Sequence, residues 1–221
     1  NAQVKGMNVA IRNANDAISL SQTAEGALGK VGDMLQRMRE LAVQSANATN
    51  SAADRTSLDA EYQQLGSEIT RTLSTTKFNG IAILAGGAGA QQFQVGANAG
   101  DTVTVTTTNM STNANITAVT GGGVTTVALA NTALGNIDTA LDTINSERAL
   151  YGATQNRFEV VISTLQTAAE NQTAARSRIM DADFAAETAN LSRSQILQQA
   201  GTAMIAQANQ LPQQVLQLLK G

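Results

Sequence analysis

Pro212 is the only proline in a chain of 221 residues. Proline is the residue a helix interior tolerates least, so nearly the whole chain is free to form long helices. The apolar residues are placed to use that freedom. Met7, Ile11, Ala14 and Ile18 follow one another by alternate steps of four and three, and Leu28, Leu35, Met38 and Ala42 continue the stripe. This spacing predicts one amphipathic helix over residues 3–46. Glycines 26, 29 and 32 weaken its middle, each by about 1 kcal/mol relative to alanine. Residues 45–50 are small and polar and read as a turn. Ser51 followed by Asp54 is a helix N-terminus signal. Leu58, Tyr62, Leu65, Ile69 and Leu73 then form the stripe of a second helix, 51–75, which ends before the turn dipeptide Asn79-Gly80.

The composition changes in the middle. Between Ile81 and Ala130 the only charged residue is Asp101. Gln92-Phe93-Gln94-Val95 and Thr102-Val103-Thr104-Val105-Thr106 alternate polar and apolar, which predicts a β-hairpin with one buried face. Residues 107–127 are rich in Thr, Asn and Gly and read as a small β elaboration or a loop. Helical spacing returns with Leu134, Ile137, Leu141, Ile144, Tyr151, Phe158, Ile162, Leu165 and Ala169, interrupted by Arg148 and Gln155. The near-heptad seam predicts a helix that packs lengthwise on the N-terminal ones. A break is expected at 180–183, where Asp183 can cap the next helix and Glu187 suits its first turn. In that last helix Leu197, Met204, Leu211 and Leu218 lie seven apart, and Gly201, Ala208 and Val215 follow the first three by four. From Ser194 onward the only charge is Lys220. Such a helix has an apolar face to offer a partner helix and few charges to solvate it alone. Pro212 is expected to kink it.

There is no His, Cys or Trp, and aromatic residues make up 3% of the chain. The first two absences remove imidazole acid–base catalysis, thiol nucleophiles and most transition-metal sites. Fourteen basic against 17 acidic residues leave a net charge of −3, with no basic face to suit a nucleic acid. No apolar run approaches the ~20 residues of a membrane span. Gly26-Ala27-Leu28-Gly29-Lys30 lacks the spacing of a phosphate loop and reads as glycine-weakened helix. An alanine-rich chain with few aromatics makes thin helix–helix seams. The expected class is a helical structural or assembly protein, not an enzyme, with no cofactor and no metal. The chain starts without Met and without an apolar signal-peptide core, and reads as truncated at its N-terminus.

Three blocks carry a resemblance. The first is Leu35-Gln36-Arg37-Met38-Arg39-Glu40-Leu41-Ala42-Val43-Gln44-Ser45-Ala46-Asn47. The second is Phe78-Asn79-Gly80 with Phe93-Gln94-Val95-Gly96-Ala97-Asn98-Ala99-Gly100. The third runs from Arg178-Ile179-Met180-Asp181-Ala182-Asp183-Phe184 through Gln207-Ala208-Asn209-Gln210-Leu211-Pro212. In this order they resemble the bacterial flagellins. The resemblance implies a mainly α fold: an elongated rod of long antiparallel helices with a packed β-hairpin, a short insertion, and a C-terminal coiled-coil-forming helix. It divides the chain into 1–106 and 131–182 as the two parts of the rod, 107–130 as a variable outer insertion, and 183–221 as the filament-core helix. The N-terminal strand of the family's terminal coiled coil is not present in the 221 residues, so the chain alone is expected not to polymerise.

The implied function is that of a flagellar filament subunit, secreted through the flagellum-specific type III channel. The implied partners are other flagellin subunits, an export chaperone on the C-terminal helix, and the flagellin-sensing Toll-like receptor. Gln36, Arg37, Leu41 and Glu61 match the family's receptor and subunit contact. Arg37 and Leu41, four apart, are expected to share one exposed face. Leu197, Gly201, Met204, Ala208, Leu211, Val215 and Leu218 are the expected assembly and chaperone seam. The alternatives are a hook–filament junction protein, or a helical surface adhesin that binds glycans.

Overall fold

The structure is a computed structural model that describes residues 2–87, 89–181, 184–218 and 221, and the side chains of 209–218 lie outside the described set. Its elements are α1 (Ala2–Ala46), α2 (Ala52–Thr75), β1 (Lys77–Phe78), β2 (Ile81–Ala82), β3 (Ala90–Gln94), β4 (Thr102–Thr106), α3 (Ala114–Thr120), α4 (Val127–Met180) and α5 (Phe184–Leu218). The chain forms two compact units, Asn1–Asn171 and Gln172–Gly221.

In the first unit α1 supplies the longest buried stripe. It starts at Met7, runs through mostly small residues, Ala10, Ala14, Ala17 and Ala24 with Leu20 among them, and gains bulk through Leu28, Val31, Leu35, Met38 and Leu41. The three mid-helix glycines do not interrupt it, because a helix held by tertiary packing does not depend on propensity alone. Ser51 caps α2 as expected: its side chain accepts from the Asp54 N–H, and the Asp54 carboxylate accepts from the Ser51 N–H. Arg55 donates to the carbonyls of Ser45 and Asn47, both at 2.9 Å, and so pins the turn that folds α2 back along α1. Tyr62, Ile69 and Leu73 bury the inner face of α2.

Asn79-Gly80 does more than stop the helix. Both residues have positive φ, 48° and 81°, as a two-residue hairpin turn requires. The turn pairs Phe78 with Ile81 and Lys77 with Ala82. The second hairpin pairs β3 with β4, Phe93 opposite Val103 and Gln91 opposite Val105. Val103 and Val105 are buried while the intervening threonines are exposed, so the alternation sets the face. The Phe93 ring packs edge-on against Phe158 of α4 at 5.8 Å. At the far end Gly6 of α1 lies against Ala97: a Cβ added there would stand 2.9 Å from the Ala97 Cβ. Only a glycine permits so close an approach.

The segment after β4 differs from the expectation of a β elaboration or loop. It contains the helix α3, capped by Asn113, whose side chain accepts from the Asn115 N–H. Met110, Ile116, Val119 and Val124 are all buried in the common core. Their irregular spacing carries no helical or strand period, so composition alone hid them. α4 closes the core with Ala130, Ala133, Ile137, Ala140, Ile144, Tyr151 and Phe158.

The second unit holds the end of α4 and all of α5. α4 stops at Met180, and Glu187 lies in the first turn of α5, both as expected. Asp183, read as the cap, lies outside the described residues. α5 is one helix through Pro212. Among the described residues no helix is long and apolar enough to cross a membrane.

Candidate interaction surfaces

The first surface lies where α1 and α2 run side by side near their connecting turn. Arg37 Nε donates to Glu61 Oε1 at 2.9 Å, and its Nη1 donates to Glu40 Oε2 at 2.8 Å. All three side chains are about half exposed or more, at 51%, 46% and 66%. The bond to Glu61, then that to Glu40, holds the Arg37 pKa above its ordinary value. Gln36 is exposed on the same block. Gln36, Arg39, Glu40, Val43 and Gln44 line a shallow groove beside it. Arg39 reaches the other way, to Asp138 of α4 at 2.8 Å, and that bond lowers the Asp138 pKa.

Arg37 and Glu61 therefore come together as the sequence suggests, but Leu41 does not join them. It is 1% exposed and belongs to the core. The expectation that Arg37 and Leu41 share an exposed face is corrected here. The cause is the width of the buried arc on α1. Leu41 and Ala42 are adjacent and both buried, in a core cluster that α2, segment 119–124 and α4 share with α1. Glu40 was missed, although its i,i+3 spacing from Arg37 is a readable signal. Asp138 was also missed, and nothing local marks a partner 99 positions from Arg39.

Segment 119–124 is held by a polar latch. The Ser45 hydroxyl donates to the Val124 carbonyl, and the Val124 N–H donates to Asp59 Oδ1 at 2.7 Å. Gln63 Nε2 donates to the Gly122 carbonyl at 2.8 Å, and the Tyr62 hydroxyl donates to the Val119 carbonyl at 3.2 Å. Burial, and secondarily the Asp59 charge, pushes the Tyr62 pKa up to about 12. Burial likewise raises that of Tyr151, helped by Glu147.

These two are the only tyrosines, and there is no Trp. Tyrosinate absorbance is therefore an unobstructed readout. A raised folded-state pKa stabilises fully below the unfolded value, near 10, and the stabilisation is lost as pH rises above it. The folded chain is expected to show little tyrosinate at pH ~10.5, and the chain in urea to be more than half ionised there. Half-ionisation of the native chain at pH ~10 with its helix intact would contradict this burial.

The second surface is on α5. Leu197 and Met204 are 65% and 71% exposed, and Gly201 and Ala208 between and after them are exposed too. Phe184, Leu191, Ile196 and Ile205 add to this apolar exposure at 58–82%. The side chains of Leu211, Val215 and Leu218 lie outside the described residues. Large apolar residues left so open in series mark a surface meant to be covered. Among the described residues no group of His, Cys, Asp and Glu could hold a metal ion.

An apolar helix face and a charged helix-pair patch define an assembly protein built from long helices. Residues 1–89 match the family described as "Bacterial flagellin N-terminal helical region", and 134–219 match "Bacterial flagellin C-terminal helical region". A flagellin of Halalkalibacterium halodurans is 47% identical over 99% of this chain and 80% of its own length. A flagellar filament core protein of Treponema maltophilum is 40% identical over 99% of this chain and 82% of its own length. The crystal structure of a Bacillus cereus flagellin aligns with a TM-score of 0.62 at 37% identity, covering 75% of this chain and 94% of that one. The chain belongs to the bacterial flagellin family. It is a structural subunit of the flagellar filament, and its partners are other flagellin subunits.

Proposed function

We propose that the subunit assembles by burying the apolar face of α5 against helices of the filament core. The observation that carries this reading is the 65–71% exposure of Leu197 and Met204 on one face of a nearly uncharged helix. Two residues seven apart present the same stripe to a partner. Before assembly, the same stripe is the face an export chaperone would hold in the cytoplasm, since each partner excludes water from the same side chains. The chain is then secreted through the flagellum-specific export channel and works outside the cell. It is a structural protein with no catalytic role.

A second reading concerns the α1–α2 patch. Gln36, Arg37 and Glu61 form a contact for the flagellin-sensing Toll-like receptor, and the same patch packs subunit on subunit in the filament. The exposed Arg37–Glu61 pair at 2.9 Å supports it, since a preorganised arginine is a frequent interface anchor. Leu41 contributes from beneath, as core. Arg37→Ala is expected to weaken receptor binding about tenfold or more, with almost no change in thermal midpoint, because the pair is exposed. The test measures receptor affinity of Arg37→Ala, Glu61→Ala and Gln36→Ala chains as monomers. Unchanged affinity in all three would leave the patch as a subunit contact only.

A further inference from the structure

Glu147 is the one buried charged side chain among the described residues, at 9% exposure. It interrupts the apolar face of α4 between Ile144 and Tyr151. One carboxylate oxygen, Oε2, accepts from the Thr108 hydroxyl at 3.1 Å. The other, Oε1, has no partner among the described residues, and neither has the hydroxyl of the fully buried Tyr151 one turn further on. Residues four apart on a helix lie one above the other, and the charge on Glu147 helps raise the Tyr151 pKa. The two groups are thus neighbours that do not bond directly. Arg148, next to Glu147, has a buried Nε that also lacks a partner among the described residues and approaches Glu25 of α1 at 3.8 Å, and Gln155 on the turn after Tyr151 donates from Nε2 to Glu25 Oε2 at 2.8 Å.

A buried carboxylate oxygen or phenol left unsatisfied is costly, and protein interiors meet that demand with ordered water making two to four bonds. We propose that Thr108, Glu147 and Tyr151 enclose an internal water site that fixes the register of α4 in the first unit. The water accepts from the Tyr151 hydroxyl and donates to Glu147 Oε1. Its register role follows from the rest of the seam. Ala130, Ala133 and Ala140 are small and hold register weakly, while the fully buried Ile137 and the exposed Arg39–Asp138 pair at 2.8 Å hold it at that end. At Glu147 a slide by one turn would carry a carboxylate away from Thr108 and set it against apolar side chains, at high cost.

The test uses the full chain. Tyr151→Phe removes one oxygen and keeps the ring. It is expected to lower the folding equilibrium constant about fivefold, and to lower it much less in a Glu147→Leu background, where the water has lost its acceptor. In the unsubstituted chain the Tyr151 hydroxyl proton is expected to show an NMR cross-peak to a bound water, a readout that stands even if Glu147→Leu fails to fold. A Tyr151→Phe chain as stable as the parent, an equal loss in both backgrounds, or a hydroxyl proton without a water cross-peak would each overturn the proposal.

Discussion

Replacing Leu41 by alanine is expected to destabilise the first unit by about 2–5 kcal/mol, the range for truncating a buried leucine. Leu41 is 1% exposed, in the same cluster as Leu35, Met38, Tyr62 and Val124. Truncation would remove three carbons from a closely packed site in that cluster. Segment 119–124, part of the same cluster, is held by hydrogen bonds with Ser45, Asp59, Tyr62 and Gln63, so it cannot shift freely to fill a gap. The cost should therefore sit toward the upper end. Arg37→Ala, one helical turn away, should barely move the unfolding midpoint. Urea denaturation of the two variants side by side measures the contrast. If Leu41→Ala unfolds at the same urea concentration as the parent, the packing described for α1 is wrong. The contrast also bears on receptor binding: loss of affinity in Leu41→Ala would report a disturbed surface, not a lost contact.

The second large effect is expected on α5. Leu197→Asp combined with Met204→Asp places two carboxylates on the face proposed to be buried. Burying an unpaired carboxylate is prohibitive, so the filament cannot accommodate them by relaxation. In cells whose only flagellin also carries the N-terminal segment of the family's terminal coiled coil, both substitutions together are expected to abolish the filaments that the unsubstituted flagellin makes, as seen by electron microscopy. The same substitutions should leave the first unit unchanged, because neither residue belongs to it. Normal filaments from the doubly substituted flagellin would show that this face is not an assembly surface.

Much of this fold is legible in the sequence, and the reason is periodicity. The stripe from Met7 to Ala42 predicts a helix over 3–46, and the structure has Ala2–Ala46. Ser51 and Asp54 announce a capping box, and it forms. The alternation of Val103 and Val105 predicts the buried face of β4. What was not legible lacks a period or depends on distant partners. α3 spans seven residues, too few to show a stripe and too short to stand without tertiary contacts. The two-residue strands around Asn79-Gly80 are set by their turn, not by any pattern of their own. Glu147 reads as no part of the stripe, yet it is buried, with the Thr108 hydroxyl hydrogen-bonded to it. Leu41 shows the limit most clearly. Spacing places it beside Arg37, but only tertiary packing decides which of the two is covered.

The chain has no cysteine, so a single Met204→Cys substitution supplies a unique thiol at the centre of the proposed seam. Its rate of reaction with a maleimide, in the free subunit and in filaments assembled from flagellin that also carries the N-terminal segment of the terminal coiled coil, measures directly whether the face of α5 is buried on assembly. The expected result is rapid labelling of the free subunit, as the 71% exposure of Met204 requires, and strong protection in the filament. Equal labelling in both states would contradict the account.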